Sequence, residues 1–213
     1  MASSQLVAPE LATIQVQGVT REAFLIRATL AAGATYGAMS ATPFITRALA
    51  QDEDVTDVDI LNFALTLEYL ETDFYERGVK QVKGLSGDEM KLAKELRDNE
   101  AEHVDALAAT VKKLGGKPVA KPKFDFGGAF GSRAAFLKTA NTLEDTGVSA
   151  YNGAGPLIKS VDVLAAAGSI VQIEARHAAL IRLVRSKPPA PLAFDKAATM
   201  EAVLKAVTPF IVK

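Results

Sequence analysis

The chain has 213 residues, 49% hydrophobic and 23% charged, which suits a folded domain and excludes wholesale disorder. Lys plus Arg number 24 against 25 Asp plus Glu, so no bulk field draws it to nucleic acid or to an anionic membrane. It has no Cys, which excludes disulfides, thiolate nucleophiles, zinc-thiolate sites and iron–sulfur ligation, and only two His, His103 and His177.

Residues 1 to about 20 lack periodicity and carry Pro9 and Gly18, the mark of a flexible extension. Arg21-Glu22-Ala23-Phe24-Leu25-Ile26-Arg27 then leads into an uncharged stretch from Ala28 to Thr46, closed by Arg47-Ala48-Leu49-Ala50. Basic residues, an apolar run and a small-x-small site in that order predict a secretory signal cleaved after Ala50. Thr20-Arg21-Glu22-Ala23-Phe24-Leu25 resembles a twin-arginine export signal in which Glu22 stands where the second Arg belongs. The stretch is rich in Ala, Gly and Thr and includes Pro43, so it predicts no permanent membrane span. Export to the periplasm, envelope or exterior is therefore expected. The other reading keeps an amphipathic N-terminal helix in a cytoplasmic protein.

From Thr56 the pattern becomes helical. A first helix is expected over about 57–80, after the acidic cluster Asp52-Glu53-Asp54. Ser86 three before Glu89 forms a capping box for a second, over about 86–114, ended by Gly115-Gly116-Lys117-Pro118. A link bearing Gly and Pro follows at 116–131. Ser132 caps a third helix over about 132–151, stopped by Asn152-Gly153-Ala154-Gly155-Pro156. A fourth spans about 161–186 before Pro188-Pro189, and a short amphipathic segment covers about 195–207. No alternation typical of strands is present, so the fold is expected to be all-α. Two short connections make two helical hairpins, and the 15-residue link, up to about 50 Å when extended, can cross the whole bundle between them.

Each His follows a Glu by three residues, in Glu100-Ala101-Glu102-His103 and Glu174-Ala175-Arg176-His177. Positions i and i+3 share a helix face, so a carboxylate and an imidazole can converge on one ion. The other two helices carry Thr66-Leu67-Glu68 with Tyr75 and Thr142-Leu143-Glu144 with Tyr151, each Tyr seven residues after its Glu. The Glu-x-x-His pair follows 32 residues later in one half (68 to 100) and 30 in the other (144 to 174). The two halves are copies of one hairpin. Glu71 is the register alternative to Glu68, and the duplication favours Glu68 because Glu144 aligns with it and Gly147 with Glu71.

These positions lie on apolar seams. Leu61, Ala64, Leu65, Thr72 and Tyr75 flank Glu68; Leu137, Ala140, Val148 and Tyr151 flank Glu144. The carboxylates are therefore expected to be buried, which demands a cation or a proton. Apart from Glu71, the one charged residue at those offsets outside the set is Arg97. Two divalent cations would balance four carboxylates, with neutral imidazoles completing the shells.

Glu, Glu-x-x-His, Glu, Glu-x-x-His on four helices resembles the ferritin-like di-metal carboxylate proteins. Leu61-Asn62-x-x-Leu65-x-x-Glu68 with Tyr75 is similar to the first ferroxidase helix of bacterioferritins, and Glu100-x-x-His103 to their second. The whole also looks like exported bacterial ferritin-like proteins and plant desiccation-related proteins. The resemblance implies a ferritin-like four-helix bundle over 51–213, after a leader at 1–50. It implies two Fe or Mn ions, with Glu68 and Glu144 as terminal ligands on opposite metals, Glu100 and Glu174 bridging or capping the pair, and His103 and His177 as nitrogen donors. Tyr75 and Tyr151 would hydrogen-bond the ligands or pass an electron; the plainer reading makes them core tyrosines. Dioxygen or hydrogen peroxide is the implied substrate. The alternative is a structural or stress-protective envelope protein in which metal serves stability or is absent.

A second apolar stripe on the first helix, Phe63, Leu67, Leu70 and Phe74, needs its own cover. The C-terminal helix, the N-terminal segment and a second subunit in a homodimer are the candidates.

Overall fold

The computed structural model describes residues 55–212. The leader expected at 1–50 and the cluster Asp52-Glu53-Asp54 lie outside them. Helices α1 (Asp57–Gln81) and α2 (Gly87–Lys113) form one hairpin, and α3 (Arg133–Ala154) and α4 (Val161–Val184) the other; a short α5 (Met200–Val207) closes the chain. The fold is all-α: among the described residues the one extended pairing is an isolated bridge between Phe124 and Ile211.

Local chemistry sets the helix ends. Thr56 and Asp59 make a capping box at α1, and Ser86 and Glu89 make one at α2. Ser132 and Ser160 cap α3 and α4. Asp57, in the first turn of α1, also accepts hydrogen bonds from Lys159 N and Ser160 N, both 2.8 Å, and so ties the start of α1 to the start of α4. At the end of α2, Gly115 takes φ +76° while Gly115 N and Gly116 N bond back to Lys112 O and Val111 O, a glycine-dependent stop.

Three ends differ from the sequence expectation. The third helix runs on to Ala154 and continues as a 3-10 turn, Gly155–Leu157. Gly153 is no breaker there: a Cβ on it would sit 1.8 Å from Ala198 O, so the glycine lets the segment leading into α5 lie against α3. Ala198 N donates to Ser149 O at that contact. The fourth helix stops at Val184, where Arg185 N turns back onto Ile181 O and Arg182 O and Ser186 enters the left-handed region at φ 56°. The last helix begins only at Met200, capped by Thr199.

The second stripe of α1 is covered from within the chain. Phe63, Leu67, Leu70 and Phe74 join one core cluster with Phe124, Phe126 and Ala129 of the crossover and Met200, Val203, Leu204 and Val207 of α5. Phe74 stacks on Phe136 and meets Phe126 edge-on. No second subunit is needed to bury this stripe. The crossover is pinned at its start by Asn62, whose amide donates to Lys117 O (3.1 Å) and accepts from Val119 N (2.7 Å), and farther on by an ion pair between Lys121 and Asp73. It returns beside the C-terminus, where Asp125 N donates to Phe210 O and Val212 N to Lys123 O. Burial of this aromatic layer fixes α1 against α3, and hence the first half of the site against the second.

Candidate metal centre

All six residues of the duplicated pattern converge at the middle of the bundle. Glu68, Glu100, Glu144 and Glu174 are fully buried, His177 is 2% exposed and His103 9%. Each comes from a different turn of a capped helix, and the i, i+3 spacing aims Glu100 with His103, and Glu174 with His177, at one point between the helices.

Two overlapping groups result. Glu68, Glu100, His103 and Glu174 offer ligand atoms within 4.8 Å of one another, and so do Glu100, Glu144, Glu174 and His177. Glu100 and Glu174 belong to both. His103 Nδ1 lies 3.0 Å from Glu100 Oε2, 3.1 Å from Glu68 Oε2 and 3.3 Å from Glu174 Oε1. His177 Nδ1 lies 2.7 Å from Glu100 Oε1 and 3.4 Å from Glu144 Oε2. The two rings face one another at 6.4 Å between centroids.

Much of this proximity is not hydrogen bonding. Glu100 Oε1, Glu144 Oε2, both oxygens of Glu174 and His177 Nδ1 are buried without an aligned hydrogen-bond partner. Buried polar atoms are normally satisfied, and orphans that point at a common centre call for an ion. The donor set, four carboxylates and two imidazoles, suits Fe or Mn. These residues fit a dinuclear centre. Arg97, the one cation expected near them, instead pairs with Asp98 on the surface at 2.7 Å, so it does not neutralise the acids.

Protonation carries the imbalance in the metal-free chain. Burial raises Glu68 to about 8, with His103 opposing part of the shift. Burial also raises Glu144, and it lifts Glu174 well above the ordinary carboxylate range with help from Glu100. Glu100 resists the same burial because the hydrogen bond with His103 and the close approach of His177 hold it down at about 2. Burial works against charge on the imidazoles, but Glu100, Glu174 and Glu68 outweigh it at His103, pushed up to about 12, and Glu100 and Glu144 at His177, pushed up to about 10.

Both tyrosines touch this shell, each across the pseudo-twofold rather than within its own copy. Tyr75 donates to Glu144, and Tyr151 donates to Glu68 Oε1 at 2.5 Å. Burial raises both phenols well above their ordinary value, so each stays a proton donor. Two further residues belong to the site that sequence reasoning did not place there. Asn99 Nδ2 lies 3.0 Å from His177 Nε2, the ring atom facing away from the centre. Glu71, set aside as a register alternative, is 2% exposed beside the same acids. The one signal for Glu71 was the glycine aligned with it, Gly147; Asn99 had none, because the corresponding residue of the other copy is Ile173.

The model of the ferritin-like domain matches residues 56–187, the four main helices and their crossover. The chain belongs to the ferritin-like domain family. No curated protein matches it. Within that family fold, the shared Glu100 and Glu174 and the separate Glu68–His103 and Glu144–His177 pairs describe a buried carboxylate and histidine cluster compatible with metal.

Proposed function

We propose that this ferritin-like protein holds a dinuclear iron or manganese centre that reacts with dioxygen or hydrogen peroxide, as a ferroxidase or a peroxide scavenger. One observation carries the reading: two buried sets of three carboxylates and one imidazole overlap in Glu100 and Glu174, and among the described residues Arg97, the candidate Arg, pairs with Asp98 instead of balancing them. Glu68 and His103 would hold one ion, Glu144 and His177 the other, and Glu100 and Glu174 would be common to both. When bound, two such ions supply the pair of electrons that reduces peroxide to water or dioxygen to peroxide.

The protein's own part is positioning and exclusion. Tyr75 and Tyr151 fix the outer carboxylates, Glu144 and Glu68, through their phenolic hydroxyls. Asn99 sits against the outward Nε2 of His177, and with Nδ1 turned to an ion its amide oxygen would be the group that accepts the Nε2 proton and fixes the ring. Leu65, Leu96, Leu143 and Ile181, all at most 1% exposed, keep the seams dry. His103 is the more open edge, its side chain 11% exposed against 3% for His177, and is the natural side of approach for a small oxidant.

The leader at 1–50 supports an exported protein, and among the described residues no helix is long and apolar enough to cross a membrane. The test of turnover is rapid mixing of the ferrous-loaded protein with dioxygen or with peroxide. A ferric absorption, growing in with one oxidant and consuming about one oxidant per ion pair, is expected from the two-electron stoichiometry. Loaded protein that stays ferrous with both would leave metal a purely structural part, the stress-protective alternative.

A further inference from the structure

Glu71 lies on α1 one turn beyond Glu68, 2% exposed, and its Oε2 is buried with no hydrogen-bond partner. Its electrostatic neighbours are the acids of both halves, Glu174 and Glu100 before Glu144 and Glu68. A lone buried carboxylate in such company needs a cation or a proton.

The pseudo-twofold explains its place. Tyr75 of α1 reaches Glu144 of α3, and Tyr151 of α3 reaches Glu68 of α1, so the two helices run antiparallel and cross midway between these contacts. Midway falls at Glu71 on α1 and beside Gly147 on α3, the very residues that the duplication makes equivalent. Equivalent side chains at a crossing would collide. A Cβ on Gly147 would stand 2.7 Å from Glu174 Oε2 and 3.3 Å from Glu71 Oε1, so glycine in mid-helix, otherwise a weakness, leaves the gap that both carboxylates use.

Resting on the dinuclear reading above, we propose that Glu71 is a fifth carboxylate ligand of the metal pair, supplied by the first copy alone and seated in the gap left by Gly147. The two halves then differ where they meet, and the pair gains one negative charge that its four symmetric carboxylates do not provide. A Glu71 that merely filled space would be replaceable by its neutral isostere at no cost to metal binding.

The experiment is titration of Mn(II) into metal-free wild type and Glu71→Gln, read by equilibrium dialysis and by electron paramagnetic resonance of the bound ions. Wild type is expected to take two ions per chain. Glu71→Gln, with unchanged helicity, is expected to bind the second at least roughly tenfold more weakly, the least that loss of a direct ligand should cost, with an altered spectrum. Equal affinity and an identical spectrum in the two proteins overturn the assignment of Glu71 while leaving the dinuclear centre intact. A wild type that binds no Mn(II) overturns both. Should Glu71→Gln fail to fold, Glu71→Ala, which removes the carboxylate and leaves Glu174 its gap beside Gly147, decides on the same terms.

Discussion

Glu100→Gln is expected to bind metal at neither position, and His177→Ala at one of two. Glu100 is the residue that approaches both imidazoles, through Oε2 to His103 at 3.0 Å and through Oε1 to His177 at 2.7 Å, and it belongs to both ligand groups. It is also the one acid of the cluster held low, at about 2, so it is ionised at every pH where metal binds. An amide in its place keeps the shape but loses the anion and one of the two shared oxygens. Affinity at both positions should fall by about 100-fold or more, beyond the cost of disturbing an outer partner. His177 serves one group, so its loss should leave the Glu68–His103 position filled. Equilibrium dialysis with Mn(II), on variants whose helicity matches wild type, reads the two stoichiometries. Two ions in His177→Ala would show that the ligand positions are misassigned.

The second large effect is opposite pH dependence in the metal-free and loaded proteins. In the metal-free chain Glu68 is raised to about 8, His177 to about 10 and His103 to about 12. Each holds its proton in the fold over a range where the unfolded chain releases it, from about 4.5 upward for Glu68 and from about 6.5 upward for the histidines. Stability falls with pH wherever the folded state binds more protons. Glu100 has the reverse sign: lowered to about 2, it adds stability above about 4.5 and loses it as pH drops toward 2. Metal-free protein should thus melt highest near pH 4 to 5 and progressively lower through pH 9. Metal must displace the same protons, so its binding strengthens with pH and the gain in melting temperature on loading should grow over that interval. Melting curves of both forms at several pH values check this. A metal-free form that gains stability from pH 5 to 9 would show that the cluster does not hold those protons.

Much of this architecture was legible in the chain because few physical signals competed. Ser86 with Glu89 and Ser132 announced two helix starts, and Gly115-Gly116 announced a stop. The duplication alone groups Glu68, Glu144 and the two Glu-x-x-His pairs, since four apolar seams with acids on them have few ways to pack. What stayed hidden depends on how helices cross. Tyr75 and Tyr151 were expected to hydrogen-bond the ligands, but not which ones: antiparallel crossing of α1 and α3 places each phenol beside the other copy's carboxylate. The same crossing turned Glu71 from a discarded register into a buried neighbour of the centre. Gly153 looked like a stop and is a contact, because its reason is the Ala198 backbone far along the chain. The crossover read as a spacer, but its phenylalanines are core, and only the fold shows that Phe124 and Phe126 cover Phe74.

If the proposed reading holds, a pair of transition-metal ions balances the buried acids of this bundle. Elemental analysis of the native protein, purified without chelator, tests it most directly. About two Fe or Mn per chain is the result expected from two overlapping ligand groups. Less than about one transition metal for every two chains would contradict it.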